Sequence, residues 1–185
     1  MTGAIYSIEA RFSCMKTILS FGAFLICSMA VAQPASLPEP FAGFFKSKGL
    51  EATYSLSPTL KPTWLTADLN GDGVRDVAVF VVEKRSGKKG VLVMHGKTGK
   101  YFVFGAGTPV AKMDDLSWAD RWSIYTKKTA YETLFDQRSG DIKGSRKTVL
   151  AHPGMLIEHL EDGAMTAGGI LYYTGKGYRW IHQGD

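Results

Sequence analysis

The sequence predicts an α+β or mostly β fold, an antiparallel sheet of short strands with a small N-terminal helix. Three observations lead there. Short runs rich in β-branched and aromatic residues recur at close spacing, Trp64-Leu-Thr-Ala67, Val77-Ala-Val-Phe-Val-Val82, Val91-Leu-Val-Met-His95 and Tyr101-Phe-Val-Phe104. Glycine-bearing turns separate them, Glu83 to Gly90 and Gly96 to Lys100, which is the spacing of a meander. Only one stretch in this part of the chain has helical period: Phe41, Phe44 and Phe45 fall on one face, and Gly49 stands where a closing glycine belongs.

The chain before that helix reads as something to be removed. Met15-Lys16 leads into the apolar run Thr17 to Met29 and then Ala30-Val-Ala32, an export signal with a small-residue cleavage site. The run is shorter than the ~20 residues of a membrane-spanning helix, so cleavage after Ala32 is expected and no transmembrane span in the mature chain. Met15 serves as well as Met1 for a start. Cys27 follows Ile26, a large residue where lipid attachment needs a small one. Residues 1–32 are thus read as an N-terminal extension and signal peptide, 33–40 as a proline-rich linker, and 41–185 as a single domain. The expected location is periplasmic or secreted.

Removal of residues 1–32 leaves 20 basic and 16 acidic side chains of the original 22 and 17, and neither Cys14 nor Cys27. No disulfide is then possible, so stability must come from a core or a bound ion. The basic residues are interspersed with acidic ones, which argues against nucleic acid as partner; a protein or a glycan is expected instead.

Later segments carry weaker signals. Asp114-Asp115 is placed to cap a short helix containing Leu116 and Trp118. Trp122 to Phe135 reads as two strands around Lys127-Lys128, and Asp136 to Lys147 as a polar loop. Met155-Leu-Ile157 is a short apolar segment. Gly169 to Tyr173 and Tyr178 to His182 form a terminal hairpin whose Tyr172, Tyr173, Tyr178 and Trp180 are a candidate carbohydrate-stacking face.

The densest chemistry lies in Asp68-Leu-Asn-Gly-Asp-Gly-Val-Arg-Asp76. Calcium takes six to eight oxygens that only a tightly curved chain supplies. Alternate residues Asp68, Asn70 and Asp72 turn side-chain oxygens inward, Gly73 permits the turn, Val74 offers its carbonyl and Asp76 closes the set. Position twelve of an EF-hand loop requires Glu, and here it is Val79; strands flank the loop where helices would be needed. The nine residues resemble the calcium loop of FG-GAP and VCBS-type repeats, which form propeller blades and recur in secreted bacterial proteins. That resemblance covers about 20 residues and implies Ca²⁺ ligation by Asp68, Asn70, Asp72, Val74 and Asp76. A single copy cannot build a propeller. Without metal, the same loop is an acidic turn held by side-chain to backbone bonds.

Other constellations carry less. Gly96-Lys97-Thr98 lacks the earlier glycine of a P-loop and precedes a strand, so it is a hairpin turn. Lys84, Arg85, Lys88 and Lys89 form a charged tip. Glu158, His159, Glu161 and Asp162 cluster near His152, and a hydrolase-like acid–base site there would use His152, Glu158 and His159. The expected function is an exported, non-enzymatic binding module with structural calcium; the alternatives are a periplasmic hydrolase using those three residues, or an envelope inhibitor or accessory protein.

Overall fold

The structure, a computed structural model, describes residues 36–184. The expected export signal, both cysteines and the first residues of the expected linker lie outside the described residues. What is described is mostly β, with antiparallel sheets and two short helices, as the sequence predicts.

Helix α1 spans Phe41–Ser47 and α2 spans Leu50–Thr53, with Gly49 between them in the left-handed region at φ 65°. Strands β1 (Tyr54–Leu56), β2 (Trp64–Ala67), β3 (Asp76–Glu83), β4 (Lys89–Met94) and β5 (Tyr101–Gly105) make the first sheet. Both β1 and β2 lie along one edge of β3, β1 against its end and β2 against its start, and β4 and β5 follow on the other side. The second sheet has the order β11 (Tyr178–Gly184), β10 (Ala164–Tyr173), β9 (Gly154–Glu161), β6 (Arg121–Tyr125). Strands β7 (Thr129–Phe135) and β8 (Ile142–Val149) pair as a separate hairpin.

The apolar residues sort these elements into layers. Ala78, Phe80, Val91, Val93 and Phe104 of the first sheet pack with Trp122, Met155, Ile157 and Leu171 of the second. On the other face of the first sheet Val77, Val79, Val81, Leu92 and Met94 pack beneath Phe45 and Leu50 of the helices. Strand β3 therefore buries both faces, which is why Val77 to Val82 shows no alternation of apolar and polar residues. The second sheet repeats the device: Ile170, Tyr172 and Ile181 face Ala130 and Leu150 of the hairpin layer. Leu37, within the expected linker, is buried with the helix-side core, so the domain begins to pack before Phe41.

Two expectations are corrected. Asp114 to Trp118 is a tight loop and not a helix, because Leu116 is pulled fully into the core and its N–H bonds the Lys89 carbonyl at 2.8 Å. Asp115 caps strand β4 instead, accepting from the N–H of Lys89 and of Ser117, both at 2.9 Å. The polar loop expected after Asp136 is largely strand β8, whose residues Ile142 to Lys147 are all exposed.

Candidate metal centre

The acidic loop joins β2 to β3, whose last and first residues, Ala67 and Asp76, are register partners. Asp68 curls back over the turn. Its Oδ1 accepts the N–H of Gly71 at 2.7 Å and of Asp72 at 3.0 Å, and its Oδ2 that of Gly73 at 2.9 Å. Asn70 Oδ1 accepts from Asp72 N, and Asp72 Oδ1 from Val74 N, each at 2.9 Å. Asn70 Nδ2 donates to Asp72 Oδ2 at 3.0 Å. Each alternate side chain thus folds over the backbone ahead of it, the local bonding that Asp and Asn favour in turns. Gly71 and Gly73 hold φ 78° and 84°, which a side chain would strain.

Asp76 differs from the other three. It is wholly buried, and it ties the loop to two places: Oδ2 accepts Leu69 N at 2.9 Å and Oδ1 accepts Gly96 N at 3.0 Å. Gly96 must be glycine, because a Cβ there would lie 2.2 Å from the Arg75 carbonyl. The backbone of the turn between β4 and β5 therefore rests directly on the end of the acidic loop. From the same turn, Lys97 Nζ donates to the Asp72 carbonyl at 3.3 Å. The expected hairpin turn at Gly96-Lys97-Thr98 is present, and it buttresses the loop.

The charges respond to this placement. Val74 N–H, with Asn70 and Lys97, holds the Asp72 carboxyl below the usual carboxylate range. Burial pushes Asp76 up, against the opposing pull of Gly96 N–H and His95. Burial pushes His95 down, so its ring is kept from taking a proton although Asp76, Asp72 and Asp68 favour one. His95 Nε2 shares a hydrogen bond with the Tyr178 hydroxyl at 2.9 Å, and burial drives Tyr178 far above the ordinary phenol range. Tyr178 therefore keeps its proton.

Around that pair the rings of Phe102, Tyr173 and Tyr178 close on His95 at centroid distances of 5.1 to 5.8 Å. His152 reaches the loop from the second sheet's side, stacking on Tyr172 at 4.7 Å and lying where a Cβ on Gly71 would meet it at 3.0 Å. The aromatic hairpin is thus packed and does not form an open stacking face. Tyr173, Tyr178 and Trp180 share the inter-sheet face by register, whereas Tyr172 points the other way into the hairpin layer.

The oxygens of Asp68, Asn70 and Asp72 are hard donors suited to Ca²⁺, and each Asp76 oxygen, bonded once, keeps a lone-pair position. As the side chains stand, no three of the described His, Cys, Asp and Glu residues converge at metal-binding distance. Val74 is 40 % exposed, leaving this stretch of loop open to solvent.

The three residues of the hydrolase alternative are each committed elsewhere. Glu158 is buried and receives a two-pronged pair from Arg121, at 2.7 and 2.8 Å. His159, the next residue on β9, points to the opposite face and bonds Asp120 Oδ2 through Nδ1 at 2.7 Å. His152 lies against Tyr172 and Gly71. The His159–Asp120 pair was not foreseen, because Asp120 is 39 positions away and only the β6–β9 pairing brings it there. The charged tip is likewise tied down, Lys88 to Asp114 and Lys84 to the Glu51 carbonyl.

No family model, curated protein or solved structure matches the chain. Among the described residues no helix is long and apolar enough to cross a membrane.

Proposed function

We propose that the chain is an exported, non-enzymatic binding module whose Asp68–Asp76 loop is clasped by a structural calcium ion. One observation supports this above others: the loop closes a pair of register-matched strands while aligning the side chains of Asp68, Asn70 and Asp72 along its inner curve. Those three side chains, the Val74 carbonyl and Asp76 would hold the ion. Bound there, calcium would neutralise neighbouring carboxylates that otherwise repel. Because Asp76 also receives Leu69 and Gly96, ligation would stiffen the junction of β2, β3 and the β4–β5 turn. An export signal and a cysteine-free mature chain agree with a domain that uses an ion where others use a disulfide.

The test is thermal melting with calcium and with chelator. Calcium at a hundredfold excess over its dissociation constant adds about 2.7 kcal/mol, or roughly 5–10 °C for a domain of this size. Asp72→Ala is expected to abolish the shift. A melting temperature indifferent to calcium and chelator would remove the metal from the proposal.

A further inference from the structure

A second site lies at the open end of the core between the sheets. Along β10 the residues facing that core are Ala167, Gly169 and Leu171, opposite His159 and Ile157 on β9 and His182 and Trp180 on β11. Two of the three central positions carry almost no side chain, and a hollow of about 170 Å³ remains above them. Gly169 is needed for its shape: a Cβ there would lie 2.2 Å from the Trp180 indole, which lies across the strand. The loop before β6 supplies the opposite wall, with Met113 and Trp118. The two indoles meet edge to face, centroids 6.3 Å apart and planes at 87°.

The walls specify the guest. A cavity of about 150 Å³ accommodates one benzene ring, so the space suits a single ring. Perpendicular indoles offer a third ring both a face and an edge, and the Met113 thioether adds a favourable sulfur–aromatic contact. Of the ring nitrogens in the lining, those of His159, His182 and the two indoles, His159 is held in place by a carboxylate. The Asp120 carboxyl is held below its usual range by the Leu160 N–H and by His159 itself, so it is ionised and only accepts. His159 Nδ1 therefore carries the proton in their 2.7 Å bond. Nε2 lies 3.8 Å from Glu161, too far for a hydrogen bond, and in the neutral ring it is an acceptor for a guest.

We propose that this hollow binds one aromatic ring bearing a hydroxyl, a phenol, whether free or as a tyrosine side chain of a partner. The proposal rests on the binding-module reading and gives that module a ligand class. It does not involve the calcium loop, so the melting response to calcium and the binding of a phenol can fail separately.

The experiment follows the indole N–H resonances of Trp118 and Trp180 in the folded chain during titration with p-cresol, toluene, cyclohexanol and N-acetyl-tyrosinamide. Saturable shifts of both resonances with p-cresol are expected, with toluene about three- to tenfold weaker for want of the hydroxyl and cyclohexanol weaker for want of the ring. His159→Leu should erase the preference for p-cresol over toluene while retaining ring binding. Ala167→Leu fills the hollow and should abolish binding; should that variant not fold, Trp118→Ala removes a wall from a loop and serves instead. Binding of N-acetyl-tyrosinamide as tight as p-cresol identifies the guest as a protein side chain, and its exclusion identifies a free phenol. The proposal is overturned by absence of saturable shifts up to the solubility limit, by cyclohexanol matching p-cresol, or by undiminished binding in the filled variant.

Discussion

Two hairpins of this chain have the same secondary structure and opposite physics. In the β2–β3 hairpin the polar groups of the turn fold back on their own backbone, and Asp76 anchors the whole in the core. Strand β3 is buried on both faces from Asp76 to Val81. In the β7–β8 hairpin only Ala130 is fully buried, and β8 is exposed along nearly all its length. Its attachment runs through charge: Glu132 accepts from Arg146 across the hairpin at 2.6 Å and from Arg179 of β11 at 3.0 Å. Asp76, whose partners are backbone N–H groups beside it and on the next turn, makes a hairpin rigid from within. Glu132, whose partners are long exposed side chains, makes one that is tethered from outside.

The sharpest way to break that comparison is Asp76→Ala. The buried N–H of Leu69 would lose its acceptor at about 1–3 kcal/mol, and that of Gly96, on an exposed turn that water can reach, at less. Removal of a buried carboxyl recovers part of this. We expect a loss of about 3 kcal/mol, a fall of roughly 10 °C in melting temperature, even with calcium withheld. Asp72→Ala, altering an exposed part of the same loop, should cost little in calcium-free buffer. Equal losses for the two variants would show that Asp76 has no special anchoring part.

The same contrast governs what could be read from the sequence. The loop, β2 and β3 were legible because their determinants are local: Asp and Asn at alternate positions, glycine at positive φ, a dense apolar run. Helix α1 and the terminal hairpin were legible for similar reasons. Strand β8 was missed because Ile142-Lys-Gly-Ser-Arg-Lys-Thr-Val149 has no buried face to impose alternation. Its one signal was the turn ahead of it, where Asp136 Oδ1 accepts from Arg138 N and Ser139 N and Gly140 takes φ 79°. The two strands around Lys127-Lys128 exist, but β6 pairs with β9 and β7 with β8. Register over such separations is decided by packing, which a local pattern does not contain. The phenol hollow was invisible for that reason: Ala167 and Gly169 become a floor only once Trp180 and Trp118 are placed above them.

A milder perturbation belongs to the outer hairpin. Glu132 is 14 % exposed at its side chain, while Arg146 and Arg179 are 57 % and 37 % exposed. Solvent screens such pairs, so Glu132→Ala should cost about 1 kcal/mol. The cost should shrink as salt is raised, whereas that of Asp76→Ala should not. A loss from Glu132→Ala that ignores ionic strength would mean the hairpin is held by its apolar underside at Ala130 and not by charge.

The smallest expected effect is that of Val149→Thr, set against the same substitution in the inner hairpin, Val79→Thr. Both residues lie on strands, and threonine keeps the branching at Cβ that suits them. Val79 is 1 % exposed and packs beneath the helices, so its new hydroxyl must find a partner among apolar groups; without one the cost is about 1–3 kcal/mol. Val149 is 73 % exposed opposite Thr129, where water serves the hydroxyl, and the change should stay within about 0.5 kcal/mol. Urea midpoints of the two variants measure the difference. Midpoints lowered equally would place Val149 against a surface that covers it in solution, and the outer hairpin would then be as much a core element as the inner one.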